Sequence, residues 1–580
     1  MKIPKSLLIP ACAVITWGLH ILALYVPDCF GFDQLRYFSG AFIFGWTTIF
    51  LVLIIIFSFV PLQGLFEKLG SNFILITLCA GWLAGLICLE TAAPLLGDGF
   101  ERINALPSGL LKSLRNQPVP LDILIHWPAF KFQDWFFGRP QGQQFAYTLE
   151  SYVAGAIYFF LAIIFSAENF SSKMSRLVFV ASLSLSGFVQ LFAGYAENYS
   201  FAPAAIIFWM IAAKKAEQGK FASLALAQIL LVSLHFFFLF LLPASLWLAW
   251  RRQGKKPWAV ITLLILTGIG VSILAFVMVR GHYRGPAILI SFAQFFTFSH
   301  LIDCLNYQML AAPALLILLA AVIATPKAPK LSLHEQSYLL ASLILAVFFF
   351  ILRPVLGAVR DWDLFTIPAM VYLPFLLAYL LPRLEKDLKA LSALGACVIL
   401  ISASHTVPWL MVNHAEDKMT ARMFRHLDQR QGREQWASAY GYLISAKYFI
   451  SANRDQEADS AFQKSTSINP DYSVNHQEYG LFLFRLGYYG RGIKELEAAH
   501  RLNPTNPGIK TMLANFYLLH AKKQISDKNL EAAQSGLEKM FRLAPDWQEG
   551  LRALADFYEF NKPDPEKAKY YRSLIGTQKP

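Results

Sequence analysis

The chain has 580 residues, of which 56% are hydrophobic and only 15% charged, and its mean hydropathy is +0.44. That balance excludes an ordinary soluble domain and reads as a polytopic membrane protein. A net charge of +13 would suit nucleic acid in a soluble protein. Here many Lys and Arg residues fall in short loops between apolar runs, as topology determinants do, so a nucleic-acid partner is excluded.

Met1-Lys2-Ile3-Pro4-Lys5 opens the chain, and an apolar run to Val26 follows; with no small-residue cleavage site, it reads as a retained first helix. Runs long enough to span a bilayer lie at about 7–26, 36–60, 73–96, 151–166, 177–196, 199–213, 258–279, 308–325, 337–352, 364–382 and 390–412. A single helix through 222–250 would put the basic run Arg251 to Lys256 on the same side as Asp98. Two short helices meeting near His235 and Phe236 restore the positive-inside rule and bring the total to 13 segments. Every basic loop then shares the cytoplasmic face, and the chain after Val412 emerges on the other. Six cysteines make no disulfide framework in so long a chain, and Cys12, Cys79, Cys88 and Cys397 lie inside apolar segments.

The third run ends in Leu95-Leu96-Gly97-Asp98-Gly99-Phe100-Glu101-Arg102, an acid held between two glycines. A carboxylate so close to a bilayer is costly unless paired, hydrated or used. Asp98 is therefore the candidate general base; a polar turn capping a helix is the bland alternative. The long loop 97–150 that follows carries Trp127, Trp135, Phe136 and Phe137, which suit a helix lying in the headgroup layer.

The same face gathers Glu101, Glu197, His235, His282, His300, Asp303, Asp361 and Asp363 with Arg280, Arg284, Arg353 and Arg360. Arginines hold a phosphate bidentately, and a carboxylate takes the proton of an attacking hydroxyl. In Gly194-Tyr195-Ala196-Glu197-Asn198-Tyr199 a carboxylate lies in an aromatic turn whose tyrosines offer a surface to a sugar. In Arg360-Asp361-Trp362-Asp363 two carboxylates flank an aromatic before a span, placed to hold a cation, to position an acceptor, or simply to cap a helix. No cofactor is certain from these residues; a divalent cation stays open.

From about residue 420 the hydropathy falls and a repeat begins. Asn469-Pro470, Asn503-Pro504 and Ala544-Pro545 each close a helical unit. The first two prolines are 34 residues apart, the tetratricopeptide period, and the next two 41, which implies an insertion near Lys522 to Lys528. Ala458 and Phe462 fill the small and aromatic positions of one repeat, Tyr479, Gly480 and Ala499 those of the next, and Ala514, Tyr517 and Ala533 those of a third. Leu554, Ala555 and Tyr558 begin a fourth unit that caps the array. The expectation is an all-α chain: a membrane domain over 1–412, a linker over 413–432 and a tetratricopeptide-repeat solenoid over 433–580.

An acidic motif opening a long outer loop, an amphipathic segment, a short hairpin with a basic residue at its apex and Leu242-Pro243 after it, and a basic cytoplasmic loop together resemble the GT-C-type glycosyltransferases. The resemblance covers roughly residues 70–412, and some members of that superfamily append tetratricopeptide repeats on the non-cytoplasmic side. It implies a polyprenyl-phosphate-linked sugar as donor, Asp98 as general base, His235 beside the donor phosphate, and Glu197 with Asp361 or Asp363 at the substrate. The residues read above add Tyr195, Glu101, His282, Arg284 and Arg360 as substrate-binding. The implied setting is a bacterial-type inner or plasma membrane, with the lipid bilayer, the lipid-linked sugar and a protein or peptide held by periplasmic repeats as partners. Two features depart from the pattern: two spans precede the helix of the acidic motif, and Gly97-Asp98-Gly99 carries one acid where many members have an adjacent pair. The rival class is non-enzymatic, a membrane-anchored repeat scaffold for envelope assembly; many spans with clustered outer-face acids favour chemistry.

Overall fold

A computed structural model describes residues 5–59, 62–110, 120–137, 142–252, 261–262, 265–270, 287–325 and 330–576. Among them the chain is helical throughout, with a single isolated antiparallel bridge between Leu289 and Leu352. It forms two compact units, Met1–Gln429 and Arg430–Pro580.

Among the described residues of the first unit, five helices are long and apolar enough to cross a membrane: Gly40–Phe57, Gln144–Asn169, Leu333–Ile351, Trp362–Leu384 and Leu388–His414. Two bent pairs, Gln63–Leu69 with Asn72–Cys88 (79°) and Phe298–Ala311 with Leu315–Ala324 (91°), raise the number to seven if each is one span. Only 11% of Gly40–Phe57 is buried, as suits a helix that is apolar all round and faces hydrocarbon.

Several expected runs are divided. The run 73–96 is helical only to Cys88, and the chain from Leu89 to Asp98 is a loop. The run 308–325 breaks between Ala311 and Leu315 at Pro313, which lacks an N–H and crowds the preceding turn. The run 177–196 is a helix, Lys173–Ser184, followed by a 3-10 turn, Gly187–Phe192. The stretch 222–250 is two helices, Ala222–Leu234 and Leu242–Arg251, joined through a 3-10 turn. The break falls at His235, whose backbone is extended and whose Nδ1 accepts the Phe237 N–H at 3.2 Å. His235 is buried, not presented at a surface. Most of the expected run 258–279 lies outside the described residues.

The stretch expected as a linker, 413–432, holds the end of the Leu388–His414 helix and a further helix, Glu416–Arg430. That helix is docked within the first unit. Arg422 Nε meets Asp33 Oδ1 at 3.0 Å, its Nη2 donates to Phe30 O at 2.7 Å, and His426 Nε2 meets Asp33 Oδ2 at 2.7 Å, all three side chains being buried.

The second unit is a run of paired helices: Gln435–Ser451 with Asp455–Ile468, Ser473–Arg485 with Tyr489–Leu502, Pro507–Ser526 with Leu530–Leu543, and Gln548–Asp556 with Pro565–Leu574. Ala458, Phe462, Tyr479, Gly480, Ala499, Ala514, Tyr517, Ala533, Leu554, Ala555 and Tyr558 are all buried. The longer proline spacing has a plain cause: Pro507–Ser526 has 20 residues where Ser473–Arg485 has 13, the same difference of seven that separates 41 from 34.

Candidate functional site

Four segments far apart in sequence are stitched together by backbone bonds at the end of the Asn72–Cys88 helix. Thr91 N–H donates to Ala193 O at 2.8 Å, Ala92 N–H to Asn413 O at 2.9 Å, and Gly97 N–H to Arg360 O at 3.0 Å. Buried side chains complete the seam: Asn413 Nδ2 donates to Gln190 Oε1, and Gln190 Nε2 to Thr91 Oγ1, each at 2.9 Å. Arg360, 1% exposed, donates from Nε to Leu95 O at 3.2 Å and from Nη2 to Gly97 O. Its guanidinium therefore shapes the acidic loop from beneath.

Gly97 makes the turn possible. Its φ of +66° is a conformation that L side chains rarely adopt, and a Cβ there would stand 2.2 Å from Glu197 Oε1 and 3.0 Å from Asp363 Oδ2. The carboxylates of Glu197 and Asp363 thus converge on one glycine, and Asp98 follows it in the chain. Asp98 occupies the N-cap position of the helix Gly99–Ala105, yet its side chain caps no backbone N–H. It pairs with Arg102 instead, one turn on, at 2.6 Å from Nε to Oδ1. The same Nε lies 3.0 Å from Glu197 Oε2, and Nη1 lies 3.7 Å from Asp122 Oδ2. Glu197 Oε1 in turn accepts the Asp98 N–H at 2.6 Å.

These contacts split the two acids. Burial works against charge on Asp98, but the Arg102 guanidinium overrides it and holds the carboxyl down at about 2. Burial and then the neighbouring Asp98 charge push Glu197 well above the usual carboxylate range. Asp98 is also the accessible member: its side chain is 36% exposed, that of Arg102 10% and that of Glu197 1%.

Aromatic groups close the other side. Trp362 Nε1 donates to the Tyr195 hydroxyl at 2.9 Å, and that hydroxyl donates to Asp363 Oδ2 at 3.3 Å. Tyr199 OH lies 3.4 Å from His235 Nε2. The amide of the buried Asn198 side chain has no hydrogen-bond partner among the described residues. Asp361 accepts the Leu356 N–H at 2.7 Å, and burial, then the charge of Asp363, raise its carboxyl well above the usual range.

Behind Arg102, the helix Pro120–Phe137 supplies Asp122 and His126. His126 Nδ1 is 3.0 Å from Asp122 Oδ1, its Nε2 is 3.5 Å from Glu150 Oε2, and its ring stacks on Tyr147 at 3.8 Å. Burial opposes charge on this imidazole, but the two carboxylates, Asp122 foremost, raise it to about 10. The opposite face of the helix leaves Phe132 at 57%, Trp135 at 82% and Phe136 at 57% exposure, the pattern of a helix lying in an interface.

Of the residues singled out in the sequence, Asp98, Tyr195, Glu197, Arg360, Asp361 and Asp363 come together, and His235 joins through Tyr199. Glu101 is exposed and outside the network. His282 and Arg284 lie outside the described residues. Arg102, Asp122, His126 and Glu150 were not singled out as site residues; the i, i+4 spacings of Asp98 with Arg102 and of Asp122 with His126 were the available signal. No group of three or more His, Cys, Asp or Glu has a metal-holding arrangement among the described residues. In comparisons with known proteins, no family model and no curated protein matches the chain.

Proposed function

We propose that this chain is a membrane-embedded glycosyltransferase of GT-C-like type that moves a sugar from a polyprenyl-phosphate-linked donor to an acceptor on the non-cytoplasmic face. The observation that carries the reading is the Asp98–Arg102–Glu197 cluster at the Gly97 turn. It offers one accessible, ionised carboxylate, a guanidinium shared with a buried partner acid, and tyrosines beside them, at the end of an apolar helix.

In this reading the acceptor hydroxyl attacks the anomeric carbon, the bond from that carbon to the phosphate oxygen breaks, and the polyprenyl phosphate leaves with the electron pair. Asp98 takes the hydroxyl proton, and direct attack inverts the centre. An acid held at about 2 is a weak base, so Asp98 has to be relieved of its guanidinium. A donor phosphate competing for Arg102 does this: it draws the cation off Asp98 and raises the basicity of the carboxylate as substrate arrives. Glu197, fully buried, holds the Gly97–Asp98 peptide in place through the Asp98 N–H. Tyr195, Tyr199 and Asn198, all buried, back the acids that the sugar meets, and a cavity of about 220 Å³ lined by Tyr307, Phe349, Phe365 and Pro368 suits hydrocarbon.

The membrane unit carries 13 segments in this reading, and the paired helices of the second unit are tetratricopeptide repeats that bind a protein or peptide acceptor. Titrating purified wild type and Arg102→Gln with a polyprenyl phosphate tests the phosphate role. Loss of a charge-assisted contact of about 1.5–3 kcal/mol weakens binding by roughly 10–150-fold, whereas equal binding by the two proteins would remove Arg102 from the mechanism.

A further inference from the structure

The segment from Ile288 to Leu305 presents an apolar surface that no described element covers. Phe292, Phe296 and Phe298 are 78%, 75% and 80% exposed, and Leu289, Leu301 and Leu305 are exposed beside them. On the helix Phe298–Ala311, Phe298, Leu301 and Leu305 follow one another at helical spacing and form a stripe. The opposite side of the same segment is firmly seated: Phe295 packs on Phe350 with centroids 5.8 Å apart, and His300 packs on Phe350 at 4.8 Å.

The level of this surface is set by the chain it is tied to. Ile290 N–H donates to Ile351 O at 3.1 Å and Arg353 N–H to Ile288 O at 2.8 Å, around the antiparallel bridge of Leu289 with Leu352. Ile351 is the last residue of the membrane-crossing candidate Leu333–Ile351. The aromatic cluster therefore stands where that helix leaves hydrocarbon. A capping box closes the turn, with Ser291 N–H and Oγ–H both donating to Gln294 Oε1 at 3.1 Å, and Arg353 Nη2 reaches the same oxygen at 3.3 Å. A rigid turn with large apolar side chains outward and an arginine at its root matches the interfacial layer of a bilayer, where aromatic rings enter the acyl boundary and a cation meets headgroup phosphate.

We propose that residues 288–305 are a membrane-interfacial anchor whose occupant is the lipid surface: Phe292, Phe296 and Phe298 enter the bilayer and Arg353 meets the headgroups. The segment is joined to one flank of the Arg360–Asp363 stretch through Arg353, and the helix Phe298–Ala311 that continues it reaches the other through Gln308 Nε2, which donates to Phe365 O at 3.3 Å. Its insertion therefore fixes the depth at which Arg360 to Asp363 sit relative to the membrane. The anchor stands whether or not the site above is a transferase.

The test is photocrosslinking of full-length protein in phospholipid vesicles, with benzoylphenylalanine replacing Phe292, Phe296 or Phe298 in turn, an aromatic-for-aromatic change at exposed positions that leaves the seated face intact. Exposed Tyr488, in the second unit, serves as the water-facing control. Lipid adducts at the three positions and none at Tyr488 are expected, with Arg353→Gln lowering the yield of those adducts in anionic but not zwitterionic vesicles. Adducts to another polypeptide, adducts no more frequent than at Tyr488, or no adducts at all would overturn the proposal.

Discussion

Gly97 is the residue on which the site depends most sharply. Gly97→Ala combines a left-handed backbone, worth about 1–3 kcal/mol of strain in a non-glycine residue, with a methyl group 2.2 Å from Glu197 Oε1. The variant is expected to fold with a lowered melting temperature and to lose transfer almost completely; unchanged activity would mean that the close approach of Glu197 and Asp363 to this turn is irrelevant. Glu197 gives a pH-dependent counterpart. Its carboxyl is raised in the folded state by burial and the Asp98 charge, so its protonated form favours folding. That contribution is fully present below its ordinary value of 4.5 and is lost as pH rises through the folded value. Glu197→Gln cannot ionise, so its stability relative to wild type should improve between pH 4 and pH 8, and a gap that stays constant across the range would contradict the direction of the shift. Asp98 was legible in the sequence because an acid between glycines at the end of an apolar run is costly. Arg102 was not, because the contact that gives it meaning, to Glu197, spans 95 residues of chain.

At the scale of elements, the helix Pro120–Phe137 is fixed to the helix Gly142–Asn169 by one charged group, His126 between Asp122 and Glu150. Removing it takes the cation from between two buried carboxylates and leaves Asp122 only its longer contact with Arg102, a loss of about 3–5 kcal/mol by analogy with other broken buried pairs. His126→Gln should therefore speed hydrogen exchange across 120–137 at pH 7. His126 is raised to about 10, so its contribution is complete below about 6.5 and fades as pH climbs toward 10; the difference between variant and wild type should shrink over that interval. Exchange as slow in the variant as in wild type at pH 7 would show that apolar packing alone holds the helix. Hydropathy and aromatic spacing sufficed to read this helix as amphipathic, and the basic-loop rule sufficed to divide 222–250 at His235. Neither could show that the third run stops at Cys88, since Leu89 to Leu96 are mostly apolar and it is the backbone bonds of Thr91 to Ala193, of Ala92 to Asn413 and of Gly97 to Arg360 that hold them as a loop.

For the whole molecule, the sequence already separates an apolar part from a repeat-bearing part, and the structure divides near that point, at Gln429. The buried small and aromatic residues of the paired helices were legible because they fall in step with prolines spaced 34 and then 41 residues apart; the docked helix Glu416–Arg430 was not, because its partner Asp33 lies at the other end of the unit. Under the proposed division of labour, a protein lacking 433–580 keeps its affinity for the lipid donor and loses acceptor use, and equal transfer by the truncated and full-length proteins would end the acceptor-capture idea. The central claim is chemical, and one comparison reaches it directly: sugar transfer from a polyprenyl-phosphate-linked donor by the full chain and by Asp98→Asn, both in lipid vesicles and both shown to be folded. The account predicts that the wild type releases polyprenyl phosphate and that the asparagine variant is slower by roughly 10²–10⁴-fold while still binding the donor. Equal rates in the two proteins, or a folded wild type that neither binds nor consumes the donor, would contradict it.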